Sequence, residues 1–214
     1  MRIGVLGTGM VGQAIATRLT QLGHEVRMGS RDAGNEKARG WVMASGPRAS
    51  HGTFSDAASF GEVVFNCTSG EGSIAALKSA GEKNLDGKVL IDVANPLNMK
   101  KVPLPELLYC NDDSLAERIQ RELPRARVVK ALNTMNCQLM VDPKKVPGQH
   151  DVFLCGNDAD AKAKVKEILR EFGWHEPIDL GDLTASRGME MILPIWIRLM
   201  VTLKTPMFNF RIAR

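Results

Sequence analysis

Apolar residues are spaced in two different ways along this chain. Short apolar runs end at glycine or at polar residues, and the first of them, residues 2–7, has the length and flanks of a buried strand. In residues 10–22 the apolar positions fall instead at helical spacing, and Gly23 follows as a helix stop. The chain therefore opens with a predicted strand, a glycine-containing turn and a helix.

The same two patterns predict elements along the rest of the chain. Further strands are expected at residues 25–29, 52–55, 62–67, 88–93, 126–132, 151–156 and 177–180. Helices are expected at residues 35–45, 72–80, 114–123 and 159–172, and an apolar one at 189–203. Because strands alternate with helices, they predict a parallel sheet covered on both faces. The predicted fold class is α/β: a Rossmann-type, doubly wound, mainly parallel sheet with a C-terminal helical extension.

The length of the chain bounds its domain organisation. Its 214 residues are enough for one substantial core and too few for two comfortable domains. No internal repeat or low-complexity linker divides the sequence. We therefore predict a single Rossmann-type domain over residues 1–214, with 181–214 as a C-terminal helical segment.

The turn after the first predicted strand matches the dinucleotide-binding fingerprint, Gly7-Thr8-Gly9-Met10-Val11-Gly12. A bare match is weak, but this one directly follows a strand and opens a helix. In that context Gly7 allows the tight turn, Gly9 lets the backbone approach a pyrophosphate, and Gly12 lets the helix pack closely on the sheet. The start of the helix favours an anion. A Walker phosphate loop is disfavoured, since Gln13 and Ala14 stand where it needs lysine and a hydroxyl residue.

The end of the second predicted strand indicates which dinucleotide binds. An NAD enzyme usually has a carboxylate there for the ribose hydroxyls, whereas this chain has Ser30 and Arg31. A hydroxyl beside a guanidinium suits the 2′-phosphate of NADP, because arginine offers a planar fork of donors. Asp32 could take the ribose role, but it lies one position further on and better suits the start of the next helix. NADP(H) is the predicted cofactor.

Polar residues also follow three later strands, where the carboxyl ends of a parallel sheet form its binding edge. They are Thr68-Ser69, Asn95-Pro96 and Asn133-Thr134. Each pair alone could be an ordinary turn. Three in register beside a fingerprint predict contacts to the nicotinamide ribose and carboxamide.

Charge and cysteine usage narrow the function classes. The formal charge is only +4 and the basic residues are scattered, which argues against nucleic acid and favours an acidic small-molecule ligand. The four cysteines are far apart, so neither a disulfide framework nor a metal site is predicted, and a cytoplasmic location fits. The apolar stretch 189–203 is too short to cross a bilayer, so no membrane insertion is expected.

No nucleophile elbow, Cys–His pair or outstanding lysine proton donor is present, and the catalytic residues stay unknown. Hydride transfer between two planar rings needs proximity and orientation more than a protonating side chain. The apolar positions of residues 189–203 surround nearly the whole predicted helix. A helix of this kind is buried on several sides, which predicts a twofold dimer with the helix at its interface.

Four segments together resemble the NADP oxidoreductases that depend on the 8-hydroxy-5-deazaflavin coenzyme. They are residues 7–12, 29–31, 92–96 and 128–134, and residues 155–158 and 179–181 look similar too. The chain is also similar to the cytosolic NADPH-flavin reductase domain of the six-transmembrane metalloreductases. The resemblance implies a homodimer, NADP along Thr8 to Val11, Ser30 and Arg31, and a deazaflavin or flavin acceptor stacked on nicotinamide. The residues between Thr68 and Ser73 are smaller than this family leads us to expect.

The leading hypothesis is thus an NADPH-dependent oxidoreductase that passes a hydride to a small-molecule redox acceptor. An NADP(H)-sensing binding module without turnover is the first alternative, since it would need only the nucleotide cleft. A small-substrate NADP dehydrogenase is the second, although few residues remain after Gly156 for the helical substrate domain that such enzymes usually have.

Overall fold

The computed structural model describes residues 1–101 and 104–213, and it contains both strands and helices in alternation. The strands are β1 Arg2–Leu6, β2 Glu25–Ser30, β3 Ala49–Thr53, β4 Val63–Asn66, β5 Val89–Asp92, β6 Leu97–Asn98, β7 Glu106–Leu107, β8 Arg127–Ala131, β9 Phe153–Gly156 and β10 Ile178–Asp179. The helices are α1 Met10–Gln21, α2 Glu36–Ser45, α3 Phe54–Phe60, α4 Ser73–Ala80, α5 Glu82–Leu85, α6 Leu115–Glu122, α7 Cys137–Val141, α8 Ala159–Phe172, α9 Ser186–Met191 and α10 Leu193–Leu203.

The main sheet confirms the predicted fold class. Its order is β10-β9-β8-β5-β4-β1-β2-β3, and the strands from β8 to β3 all run parallel. This is the Rossmann order, in which ligands lie beyond the carboxyl ends of the strands. β9 runs antiparallel to β8, and β10 is parallel to β9. β6 and β7 form a separate antiparallel pair.

Residues of the central strands alternate between two hydrophobic cores, one on each face of the sheet. Phe65 and Val129 belong to the core that α1, α2, α7 and α8 cover. Val64 and Val128 face the other way, against α3, α4 and α6. Burial on both faces explains why these strands read as continuous apolar runs.

The region after β2 differs from its sequence prediction. The strand expected at 52–55 is β3, which ends at Thr53, and α3 begins at the next residue. The Thr53 hydroxyl accepts a bond from the Asp56 N–H, while the Asp56 carboxylate accepts one from the Thr53 N–H. This reciprocal capping box starts the helix. Seven residues are too few for a convincing helical period, so α3 was missed.

The C-terminal segment is helical over only part of the predicted range. The helix expected at 189–203 is two helices, because Ile192 separates α9 from α10 and Pro194 lies in the first turn of α10. Residues 204–213 contain no helix and run back to the start of β9, where the Asp151 N–H donates to the Phe210 carbonyl. Arg214 of the predicted segment lies outside the described residues.

Within the single chain this helix is buried on one side only, and its cover by a second subunit stays a prediction. Only Leu193 and Ile197 of α10 are buried, whereas Ile195 and Leu203 are more than half exposed. Within the part of the chain that the structure describes, no helix is long and apolar enough to cross a membrane.

Candidate functional site

The turn between β1 and α1 depends on two glycines for its shape. Gly7 has a φ of 117°, and a Cβ there would lie 2.5 Å from the Cys67 carbonyl oxygen. A Cβ on Gly12 would lie 2.2 Å from the Gly7 carbonyl oxygen. Only glycine permits the left-handed turn and this close packing of helix on turn.

Gly9 is glycine for a different reason. Its φ of −78° suits any residue, and a Cβ built on it would meet no protein atom within 4 Å. The space next to it opens to solvent at the first turn of α1, where unpaired N–H groups favour an anion. The chain's own packing therefore does not require glycine here, whereas a pyrophosphate close to the backbone does. These residues fit a dinucleotide.

A cleft of about 610 Å³ opens beside this turn. Seven of the residues predicted to bind the cofactor line it: Gly7, Thr8, Gly9, Ser30, Arg31, Thr68 and Ser69. Eight more were not predicted: Asp32, Asn35, Phe54, Cys67, Gly72, Ala75, Ala76 and Ser79. The unpredicted residues come mainly from α3, α4 and the start of α2, whose approach to the cleft is a property of the tertiary fold.

The loop after β2 presents Arg31 to this cleft. The Ser30 hydroxyl donates to the Asp32 carbonyl, and the Asp32 carboxylate accepts the Gly34 N–H. Asn35 caps α2 by accepting the Ala38 N–H, which agrees with the helix predicted at 35–45, whereas the expectation that Asp32 starts this helix is wrong. Arg31 is exposed and makes no ion pair with the described residues, so its donors can meet a phosphate.

The other predicted site residues lie around the cleft without lining it. Met10 is exposed and Val11 is half-buried on the first turn of α1. Asn95 and Asn133 pair with each other, since each side-chain amide donates to an oxygen of the other residue. Pro96 and Thr134, beside this pair, are buried. The pair brings the ends of β5 and β8 together, and its contact with nicotinamide stays a prediction.

A buried charged cluster below these strand ends was not predicted. The Lys130 Nζ lies 2.8 Å from the Asp92 Oδ2 and 2.8 Å from the Glu190 Oε1, and none of the three side chains is more than 1% exposed. Burial by itself disfavours the Lys130 ammonium, but the two carboxylates outweigh it and hold the pKa of Lys130 above its ordinary value. Burial raises the pKa of Glu190. Lys130 is thus a cation enclosed by protein.

A signal for part of this cluster was present in the sequence. Asp92 is a charged residue in the buried strand β5, Lys130 is a charged residue within the buried part of β8, and the two are register partners in the sheet. Buried opposite charges at neighbouring positions pair. Glu190 carried no such signal, because its contact with Lys130 depends on how α9 packs.

The cysteine in the cleft is not an activated nucleophile. Burial raises the pKa of the Cys67 thiol well above its ordinary range, and the Asp92 charge adds to the effect. A thiol must ionise to act as a nucleophile. Among the described residues no three His, Cys, Asp or Glu side chains are grouped as a metal site would require.

Comparisons with known proteins agree with this geometry. A family described as NADP oxidoreductase, coenzyme F420-dependent, matches residues 2–96. The F420-dependent NADP reductase of Methanocaldococcus jannaschii is 30% identical over 222 residues, an alignment that covers 100% of this chain and 98% of that protein.

Two further relatives differ in how much of their length is shared. A crystal structure from Arthrobacter sp. FB24, of a protein named as a candidate F420-dependent NADP reductase, has a TM-score of 0.94 and 50% identity, with 99% of each chain covered. Metalloreductase STEAP3 of Rattus norvegicus is 32% identical over 201 residues, which are 91% of this chain but 38% of that protein. The chain thus spans well under half of that metalloreductase.

Proposed function

This chain belongs to the coenzyme F420-dependent NADP oxidoreductase family, and we propose that it transfers a hydride between NADP(H) and a planar deazaflavin or flavin. It is an NADP-dependent oxidoreductase. The observation that carries the cofactor assignment is the open space at Gly9, in a cleft that Arg31 also lines. The deazaflavin is favoured as acceptor because the relatives that match the full length of the chain are named for it.

Different residues of the cleft would hold different parts of the cofactor. Thr8 and Gly9 would hold the pyrophosphate through backbone N–H groups, and Ser30 with Arg31 would hold the 2′-phosphate. Bound NADPH supplies the hydride. Thr68 and Ser69 line the cleft at the end of β4 and are proposed to hold the nicotinamide half.

Catalysis in this proposal comes from alignment. Holding two planar rings face to face supplies the proximity that hydride transfer needs. Cys67 stays protonated and Lys130 stays enclosed, so neither is proposed as a catalytic group. The four cysteines are free thiols, which supports the proposed location in the cytoplasm.

The acceptor is tested by following NADPH oxidation with a panel of acceptors. The panel should contain the 8-hydroxy-5-deazaflavin coenzyme, FMN, FAD and riboflavin, each with an enzyme-free control. We expect the deazaflavin to give the highest kcat/KM. Tight NADPH binding with no oxidation by any acceptor would contradict the proposal and favour the sensing module.

We also propose that the chain forms a twofold dimer through α10. Ile195, Leu199 and Leu203 follow one another at intervals of four, so they form an apolar stripe along one side of the helix. Ile195 and Leu203 are 55% and 53% exposed in the single chain. A second copy would cover this stripe.

Charge placed on the stripe should therefore separate the subunits. We expect Ile195→Glu to convert a dimer to a monomer in light scattering at micromolar concentration. Met43→Glu is the matched control, because Met43 is 88% exposed on α2 and should leave the mass unchanged. An unmutated protein that is monomeric under the same conditions would refute the dimer.

A further inference from the structure

The ammonium of Lys130 joins three parts of the fold at one buried point. It donates to Asp92 at the end of β5, to Glu190 on α9 and to the Ala94 carbonyl in the loop after β5. An enclosed ion cluster of this kind adds little stability compared with apolar packing, because both signs of charge lose their hydration. The cluster lies directly below the binding edge of the sheet, which indicates that it fixes the positions of the residues at that edge.

One chain of hydrogen bonds leads from this cluster to the cofactor cleft. The Asp92 Oδ1 accepts a bond of 2.8 Å from the Asn66 Nδ2. The Asn66 Oδ1 accepts a bond of 2.6 Å from the Thr68 hydroxyl. Thr68 lines the cleft, so the orientation of its side chain is linked to Lys130 through two intermediate side chains.

A second chain of contacts leads through α9. The Glu190 carboxylate accepts the Leu115 N–H at 2.8 Å and the Ala116 N–H at 3.3 Å, which fixes α9 to the start of α6. The carbonyl of the preceding residue, Met189, accepts a bond of 2.9 Å from the Asn133 Nδ2. Asn133 is the residue that pairs with Asn95 across the ends of β5 and β8. Loss of the Glu190 anchor would therefore release a contact that orients this pair.

We propose that Lys130 and Glu190 are positioning residues, which hold Thr68 and the Asn95–Asn133 pair in register below the nicotinamide half of the cofactor. They act through Asp92, Asn66 and the backbone of α9, without touching the reacting atoms. The inference rests on the proposed function, since it concerns the alignment of that same site. It assigns a role to a lysine that neither binds the cofactor nor donates a proton.

The decisive variant is Glu190→Gln, which keeps the shape of the side chain. Its amide has one oxygen for three donors, those of Lys130, Leu115 and Ala116, so at least one bond is lost. We expect hydride transfer at saturating NADPH to slow about tenfold or more, as small misalignments do. The affinity for adenosine 2′,5′-bisphosphate, which lacks the nicotinamide half, should stay unchanged.

Glu117→Gln is the matched control for a merely structural effect. Glu117 joins the same two helices through Arg187, with contacts of 2.8 and 2.6 Å, but it lies on neither chain of contacts. We expect this variant to be less stable to heat and equally fast in transfer. A folded Glu190→Gln that transfers hydride at the wild-type rate would overturn the inference. Equal losses in transfer rate and bisphosphate affinity would overturn it too, because they indicate general loosening.

A measurement on the unmutated protein covers the case in which Glu190→Gln does not fold. If the cluster holds the nicotinamide site in place, then binding of the nicotinamide half must in turn stabilise the cluster, because coupling between two sites is reciprocal. NADP⁺ should therefore slow hydrogen exchange at the Leu115 and Ala116 amides, and adenosine 2′,5′-bisphosphate should not. Exchange that is the same with both ligands would overturn the inference. Hydrogen exchange is measured without a hydride acceptor. A wrong assignment of the acceptor would be recognised separately, because the unmutated protein would then transfer no hydride to it.

Discussion

Gly9→Ala should weaken NADPH binding by about ten- to hundredfold, the loss of one backbone bond to the pyrophosphate at about 1.5–3 kcal/mol. The added methyl group meets no protein atom within 4 Å, so it occupies only the space proposed for the ligand. The free energy of unfolding should change by less than about 1 kcal/mol, because the weaker helix cap and the lower entropy of the unfolded chain offset each other. Isothermal titration with NADPH and thermal unfolding of the same sample measure both.

Gly12→Ala is the matched comparison, because it adds the same methyl group three residues away. There the new Cβ would lie 2.2 Å from the Gly7 carbonyl oxygen, so helix and turn must move apart. The unfolding free energy should fall by about 1–3 kcal/mol, as for other overpacked sites. A Gly9→Ala variant that binds NADPH as the unmutated protein does would mean that the pyrophosphate lies elsewhere.

Arg31→Ala should remove most of the preference for NADPH over NADH. The unmutated protein is expected to bind NADPH about tenfold or more tightly than NADH, since each charge-assisted bond to the 2′-phosphate contributes about 1.5–3 kcal/mol. The Arg31 side chain is exposed at the cleft and makes no ion pair with the residues described. Its loss should leave the fold and the NADH affinity unchanged.

Arg39→Ala separates this contact from a general loss of positive charge. Arg39 is an exposed arginine on α2 and does not line the cleft, so its removal should keep the cofactor preference. Dissociation constants for both cofactors, measured by NAD(P)H fluorescence at one ionic strength, make the comparison. Equal affinity of the unmutated protein for NADPH and NADH would contradict the assignment of Ser30 and Arg31.

Local pattern was sufficient to predict the sheet and the phosphate-binding turn. Gly7, Gly9 and Gly12 lie within one strand–turn–helix unit, so the geometry of the turn could be predicted from their spacing alone. Strands buried on both faces read as apolar runs, and helix α8 was predicted over its observed range, residues 159–172. Asp158 caps this helix and Gly173 ends it in a left-handed conformation, which are strong local signals.

Contacts between distant segments could not be predicted in the same way. Phe54 and Ala76 reach the cleft because α3 and α4 pack on one face of the sheet, and nothing local in the sequence marks them as site residues. Glu190 is separated from Lys130 in the sequence by helices α7 and α8 and strands β9 and β10. Tertiary packing decides such features.

Transfer of deuterium from C4-deuterated NADPH tests the central claim most directly. The unmutated protein should be mixed in a single turnover with stereospecifically labelled NADPH and the oxidised 8-hydroxy-5-deazaflavin coenzyme. Direct hydride transfer predicts that the label from one face of the nicotinamide is recovered in the reduced deazaflavin, and that this isotopomer reacts more slowly. Recovery of the label in water, or no transfer above the enzyme-free rate although NADPH is bound, would contradict it.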